Sequence, residues 1–411
     1  MRNTVWILCG VLCVSGLWSG ASGAAEGPAA GGGGSALLDA RGETWFEVRE
    51  GLANSRIRFE RDKEGRVAFL GGSITTQTGW RDHTCEALKA RFPDTRFDFL
   101  NAGIGGTDST FGAMRLERDV FGKGPVDLLF LEFAVNDGGG EPGDVRRMRA
   151  MEGIIRHARR LNPNIDIVVQ YLADTEKVAV IEQGGVPPAI GDHDAVTRHY
   201  NLPVIYNAKA VAHRIDRREF AWEGFSGDTC HPNAFGHKLY ATFVEELLTA
   251  AWPGALPADS QITPHPMPAV LDPLNYENGR VVDPGAAEVV SGWQRDPAWQ
   301  TEKTCNYSGP VDVLAGLEPG AELRFTFTGT PVGVSVIAGM DAGVVEYSID
   351  GGPFLKKDLF DHYCVKFHRP VCHLFGEALT PGEHQLTLRI AGDRNAQSTG
   401  HAMRILDFVC N

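Results

Sequence analysis

From about Leu37 to Trp252 the chain alternates short apolar runs with longer amphipathic stretches, and this alternation is what most narrows the folds open to it. A short, wholly apolar run is a strand covered on both faces. Parallel strands of that kind need a helix in each crossover to cover them. The expected strands are Arg66–Leu70, Arg96–Leu100, Val126–Phe133, Ile165–Tyr171 and Pro203–Tyr206. The expected helices are Trp80–Phe92, Ser109–Phe121, Asp144–Leu161, Ala195–Tyr200, Ala208–Arg218 and Pro232–Ala251. Together they predict an α/β fold, a three-layer α/β/α domain around a mostly parallel five-stranded sheet, over residues 37–252. Right-handed crossovers put helices on both faces, so chemistry is expected beyond the carboxyl ends of the strands. The segment Ala173–Gly191, rich in Gly and Pro, reads as an insertion bordering that cleft.

The pattern changes at Pro253. Residues 253–275 hold several prolines and no helical periodicity, which marks a linker or a strap across the first domain. Beyond them Glu322–Thr328, Val332–Ile337, Gly343–Ile349 and His384–Ile390 alternate apolar and polar residues between Gly-rich turns, so residues 276–411 are expected to form an all-β sandwich. At the other end Arg2, the apolar stretch Thr4–Trp18 and the small residues Ala21–Ala25 read as a signal peptide over residues 1–25, followed by a Gly-rich leader at 26–36. The apolar stretch is too short and interrupted for a transmembrane helix, so a secreted or periplasmic protein without a membrane anchor is expected. Of eight cysteines, Cys9 and Cys13 leave with that peptide. Cys85, Cys230, Cys305, Cys364, Cys372 and Cys410 remain, an even number for which disulfides are expected in an oxidising compartment, with no pairing assignable. The formal charge of −13 disfavours phosphate backbones, so no nucleic acid partner is expected.

Four blocks carry side chains suited to acyl transfer. The first strand runs into Gly71-Gly72-Ser73-Ile74-Thr75, where two glycines permit a tight turn and Ser73 is presented as a nucleophile. Asn101–Asp108 follows the second strand; its spacing is wrong for a dinucleotide site, but the bare amide of Gly106 suits an oxyanion. Ala134-Val135-Asn136-Asp137-Gly138 closes the third strand and offers the Asn136 amide as an uncharged donor. Asp228-Thr229-Cys230-His231 stands before the last helix, with the carboxylate three positions ahead of the imidazole, close enough to orient it as a base.

This ordered set resembles the SGNH, or GDSL-type, hydrolases over about Arg66 to Trp252. Gly72 stands where that family usually has Asp, and Ala134 where it usually has Gly. The resemblance implies a flavodoxin-like SGNH fold, catalytic Ser73, His231 and Asp228, and an oxyanion hole of the Ser73 and Gly106 amides with the Asn136 side chain. It implies no cofactor and no metal. An α/β-hydrolase elbow fits less well, because Thr75 stands where its last Gly would be. The attached sandwich resembles the jelly-roll modules beside secreted carbohydrate O-acetylesterases, which implies an acylated carbohydrate as substrate. Trp80, Trp222 and Phe225 are expected to stack on sugar rings. A metal at His362, Cys364, His368, Cys372 and His373 lacks recurring ligand spacing. The readings set against the esterase are a lysophospholipase or thioesterase of the same family, and a non-catalytic glycan-binding protein on the same scaffold.

Overall fold

A computed structural model describes residues 44–138, 141–304 and 309–411. The expected signal peptide, the Gly-rich leader, Cys9, Cys13 and Cys305 lie outside the described residues. The first domain runs β1 (Phe46–Glu47), α1 (Ala53–Glu60), β2 (Glu64–Gly71), α2 (Ser73–Thr76), α3 (Trp80–Arg91), β3 (Arg96–Gly103), α4 (Ser109–Leu116), β4 (Leu128–Glu132), α5 (Val145–Leu161) and β5 (Asp166–Gln170). It continues with α6 (Thr175–Glu182), α7 (Pro188–His199), β6 (Val204–Ile205), α8 (Asn207–Asp216), α9 (Trp222–Phe225) and α10 (Ala234–Ala251).

Strands β3, β2, β4, β5 and β6 pair in that order and all run parallel. Val67, Ala68, Phe69 and Leu70 of β2 are wholly buried, as are Leu128, Leu129 and Leu131 of β4, so helices cover both faces. The sheet is mostly parallel, as expected, but has six strands rather than five: β1 adds an antiparallel strand beside β6. Phe46-Glu47 stands among charged residues (Glu43, Glu47, Arg49, Glu50) rather than in an apolar run, so no strand pattern shows there. The segment read as an irregular insertion holds α6 and the start of α7, because Asp174 caps α6 through the Lys177 N–H and Pro188 opens α7. The expected helix at 195–200 is the end of α7.

Residues 253–275 form a strap without strand or helix. Arg56 donates to the carbonyls of Pro253 and Gly254, Asn54 exchanges hydrogen bonds with Thr263, and the Glu152 carboxylate accepts from the Leu271 and Asp272 N–H groups. His265 lies 2.8 Å from the buried Asp166 carboxylate.

The C-terminal domain contains β7 (Arg280–Val282), β8 (Glu288–Ser291), β9 (Trp293–Trp299), β10 (Val311–Gly316), β11 (Glu322–Thr328), β12 (Val332–Ala338), β13 (Val344–Ile349), β14 (Leu355–Asp358), β15 (Arg369–Gly376), β16 (Glu383–Ile390) and β17 (Met403–Cys410). One antiparallel sheet has the order β15-β12-β17-β10-β9, with β7 also on β17; the other has β14-β13-β16-β11-β8. Their inner faces share a core in which Phe325 of one sheet stacks on Phe408 of the other at 4.0 Å. β15 escaped the sequence reading because its Cys, His and Arg side chains disguise a strand that pairs along its whole length with β12.

The domains meet at the α4 side of the first. Arg118 makes a two-pronged contact with Asp407 at 2.9 Å, and Gly279 packs where a Cβ would fall 2.7 Å from the Ala113 carbonyl oxygen. Contrary to the disulfide expectation, Cys85, Cys230, Cys364, Cys372 and Cys410 are all free. Burial pushes the Cys85 and Cys230 thiols up to about 12, so they stay protonated and unreactive. No helix among the described residues is long and apolar enough to cross a membrane.

Candidate active site

Three neighbouring strands, β3, β2 and β4, deliver three blocks to one edge of the sheet, with β2 in the middle. Ser73 opens α2 directly after β2. The turn beneath it is held by Glu132, the last residue of β4, whose Oε1 accepts from the Gly72 N–H at 2.8 Å and the Thr75 hydroxyl at 2.6 Å. Burial pushes the Glu132 carboxyl up to about 7, against these two donors. A Cβ at Gly71 would lie 2.1 Å from Glu132 Oε1 and one at Gly72 2.1 Å from Asn136 Oδ1, so both glycines are required by close approach. The Asp that the resemblance leads one to expect at position 72 has no room. Arg115, wholly buried, donates to the Ala102 carbonyl at 2.7 Å and the Gly71 carbonyl at 3.3 Å, tying together the ends of β3 and β2.

Ser73 Oγ lies 2.8 Å from His231 Nε2, and His231 Nδ1 lies 2.9 Å from Asp228 Oδ2. An ionised carboxylate only accepts, so Nδ1 carries the ring proton and Nε2 is free to accept from Ser73. Asp228 Oδ1 also accepts from the Cys230 and His231 N–H groups, at 2.7 and 2.6 Å. Partial burial works to raise its pKa, but these two donors and the imidazole outweigh it and hold the carboxyl below its usual range. The turn is closed by Ser226, whose hydroxyl reaches the His231 carbonyl at 2.6 Å, and Asn233 caps α10 just beyond.

Gly106 follows β3 in a left-handed turn (φ +72°), and the Asn136 amide after β4 stands beside Gly72. The Gly106 and Asn136 loops are joined by Asp137. Its carboxylate accepts from the Ser109 N–H at 2.8 Å, the Ser109 hydroxyl at 2.6 Å and His193 Nε2 at 2.7 Å. Asp108, which caps α4 through the Phe111 N–H, is pushed up to about 6 by burial and by the charge of Asp137.

The aromatic residues expected to stack on sugar divide differently. Trp80 is 1% exposed, packed against Phe69 and Phe130, and Phe225 is fully buried against Phe220 and Tyr240. Neither has a free face, which corrects that expectation; Gly79 and the amphipathic start of α3 send the Trp80 ring under the sheet edge. Trp222 is half-buried and spends its indole N–H on the Asp228 carbonyl at 2.7 Å, so it braces the loop that carries His231.

Sequence reasoning missed Glu132, His193 and Arg369. A carboxylate closing the run Leu128–Leu131 is a signal it could have used. Arg369 of β15 reaches across the domain boundary to the Gly106 carbonyl at 3.1 Å, pairs with Asp361, and lies 4.9 Å over the Tyr363 ring, which is 43% exposed. His362 and Phe367 flank that ring. Among the described residues no three His, Cys, Asp or Glu side chains converge as a metal set.

Residues 69–239 match the model of the GDSL-like lipase/acylhydrolase family. Among solved structures, the chain is similar to a two-domain esterase (CEX) active on acetylated mannans, with a TM-score of 0.73, 21% identity, and coverage of 88% of this chain and 96% of that one. The same esterase co-crystallised with mannopentaose gives a TM-score of 0.68 at 21% identity, covering 84% and 90%. At this identity the likeness speaks for the two-domain fold. No curated protein matches the chain.

Proposed function

We propose, from the premise that this chain belongs to the GDSL-like lipase/acylhydrolase family and is an ester-bond hydrolase, that it is an exported serine esterase removing acetyl groups from carbohydrate. The observation that carries the reading is the unbroken relay from Ser73 Oγ through His231 to Asp228, 2.8 and 2.9 Å in its two links. His231 Nε2 takes the Ser73 proton as Oγ attacks the ester carbonyl. The oxyanion is held by the Ser73 and Gly106 N–H groups and the Asn136 amide. His231 then protonates the departing sugar hydroxyl, and the cycle repeats with water on the acetyl-enzyme. Asp228, accepting from Nδ1, holds the tautomer and stabilises the imidazolium.

A carbohydrate leaving group is favoured by the rim. The second domain is fastened to the Gly106 loop by Arg369 and presents Tyr363 with an exposed face, a surface suited to pyranose rings. The mannan-active esterase with a similar two-domain fold directs the choice toward acetylated mannan over xylan. The test is acetate release from acetylated mannan, acetylated xylan and p-nitrophenyl acetate, with Ser73→Ala alongside. Mannan is expected to turn over fastest, and Ser73→Ala to cost roughly 10⁴-fold or more in kcat. Undiminished turnover in Ser73→Ala would remove the serine mechanism. Turnover of p-nitrophenyl acetate without either polysaccharide would remove the carbohydrate assignment alone.

A further inference from the structure

Two loops must supply oxyanion donors from separate strands, and hydrogen bonds within either loop alone do not fix the distance between them. Gly106 lies three residues before Ser109, the first residue of α4; Asn136 adjoins Asp137. The Asp137 carboxylate grips both the N–H and the hydroxyl of Ser109, so the Asn136 turn is tied to the start of α4 through one side chain. That carboxylate is 2% exposed, and the His193 ring, brought in by α7, is wholly buried against it at 2.7 Å. His193 Nδ1 has no hydrogen-bond partner. The imidazole therefore makes one polar contact, a cost of burial that only that contact offsets. This second imidazole–carboxylate pair makes no hydrogen bond to Ser73 and has no role in proton transfer.

We infer that His193 is a positioning residue for the reaction: by fixing the Asp137 carboxylate it sets the separation of the Gly106 and Asn136 oxyanion donors. His193 never touches substrate. Its effect falls on the transition state, because only the tetrahedral oxyanion needs both donors at once. This rests on the serine-esterase reading, and the experiment separates the two.

The four proteins to compare with the parent enzyme are Asn136→Ala, His193→Phe, the double variant, and His193→Gln, whose amide can donate near the place of Nε2. kcat and KM are measured on p-nitrophenyl acetate, with thermal unfolding confirming that each is folded. Asn136→Ala is expected to lower kcat by about 10²- to 10³-fold. His193→Phe should lower kcat by about 10- to 100-fold, as for a donor displaced by about an ångström, with KM within about two-fold and recovery in His193→Gln. In the double variant the losses should not multiply, because the donor that His193 positions is already gone. Multiplying losses, or a His193→Phe effect confined to KM or to the unfolding midpoint, would overturn the inference and leave the esterase reading intact. An Asn136→Ala variant with parental kcat would instead overturn the oxyanion reading beneath it.

Discussion

Gly72→Ala adds a single methyl group beside Ser73, the proposed nucleophile, and its outcome follows from one distance. The new Cβ would fall 2.1 Å from Asn136 Oδ1, with the amide carbon at 3.0 Å. Unbonded heavy atoms settle at roughly 3.5 Å or more, so the Asn136 amide has to retreat by at least about 1 Å. A donor misplaced by that amount costs about 100-fold in rate, or about 2.7 kcal/mol of transition-state stabilisation. The backbone at Gly72 has φ −90°, so the loss is not one of left-handed strain. Initial rates on p-nitrophenyl acetate give kcat and KM. The expectation is a kcat about 100-fold lower with KM changed less than about three-fold and the protein still folded. In an Asn136→Ala background the same methyl meets no amide and should cost little more. The reasoning is refuted by a Gly72→Ala enzyme with parental kcat, or by an equal further loss in the Asn136→Ala background. Gly72→Asp, which would restore the residue usual at this place in the resembled family, is expected to be slower than the parent for the same reason.

Arg369→Ala cuts the link between β15 and the Gly106 carbonyl and frees Tyr363 from its cation; KM for acetylated mannan oligosaccharides should rise about ten-fold while kcat/KM on p-nitrophenyl acetate changes less than about three-fold. Equal losses on both substrates would refute a role specific to the glycan. His265 fastens the strap: burial acts to lower its pKa, but the Asp166 and Glu50 carboxylates outweigh it and raise it to about 9 from an ordinary 6.5. A raised histidine contributes stability that is complete below about pH 6.5 and lost as pH climbs through about 9. Unfolding midpoints between pH 6 and 10 should therefore fall more steeply for the parent than for His265→Gln. Parallel curves would mean that the pair contributes nothing.

The four blocks of the candidate site were legible because each stands where a strand pattern ends or before the last helix, and strands of a parallel sheet all end on the same side. Periodicity placed Ser73, Gly106 and Asn136 after three strands, and the pairing order β3, β2, β4 makes those strands neighbours. What pattern could not supply was which side chain fills the space between them. Glu132 and Gly71 illustrate it: the glycine reads as turn chemistry, yet its reason is a carboxylate 61 positions later whose oxygen occupies the place of its Cβ. The same blindness misassigned Trp80 and Phe225. An aromatic residue next to such a turn in the chain faces solvent or the core according to the phase of its helix, and both face the core.

Arg369 makes the converse case. Nothing within β15 marks it as part of a rim, since its partner Gly106 is 263 positions away in another domain. Its guanidinium joins the Gly106 carbonyl, the Asp361 carboxylate and the Tyr363 face, three groups from two domains. A planar cation with several donors can make all three contacts at once, where a lysine ammonium has no flat face to lay on the ring and no fork to divide between carbonyl and carboxylate. The Gly106 loop and the exposed Tyr363 face are thereby held by one residue. Arg369→Lys, keeping charge but not the fork, should then follow Arg369→Ala, with near-parental rates on p-nitrophenyl acetate and weakened use of oligosaccharides; parental use of oligosaccharides by Arg369→Lys would show that charge alone suffices.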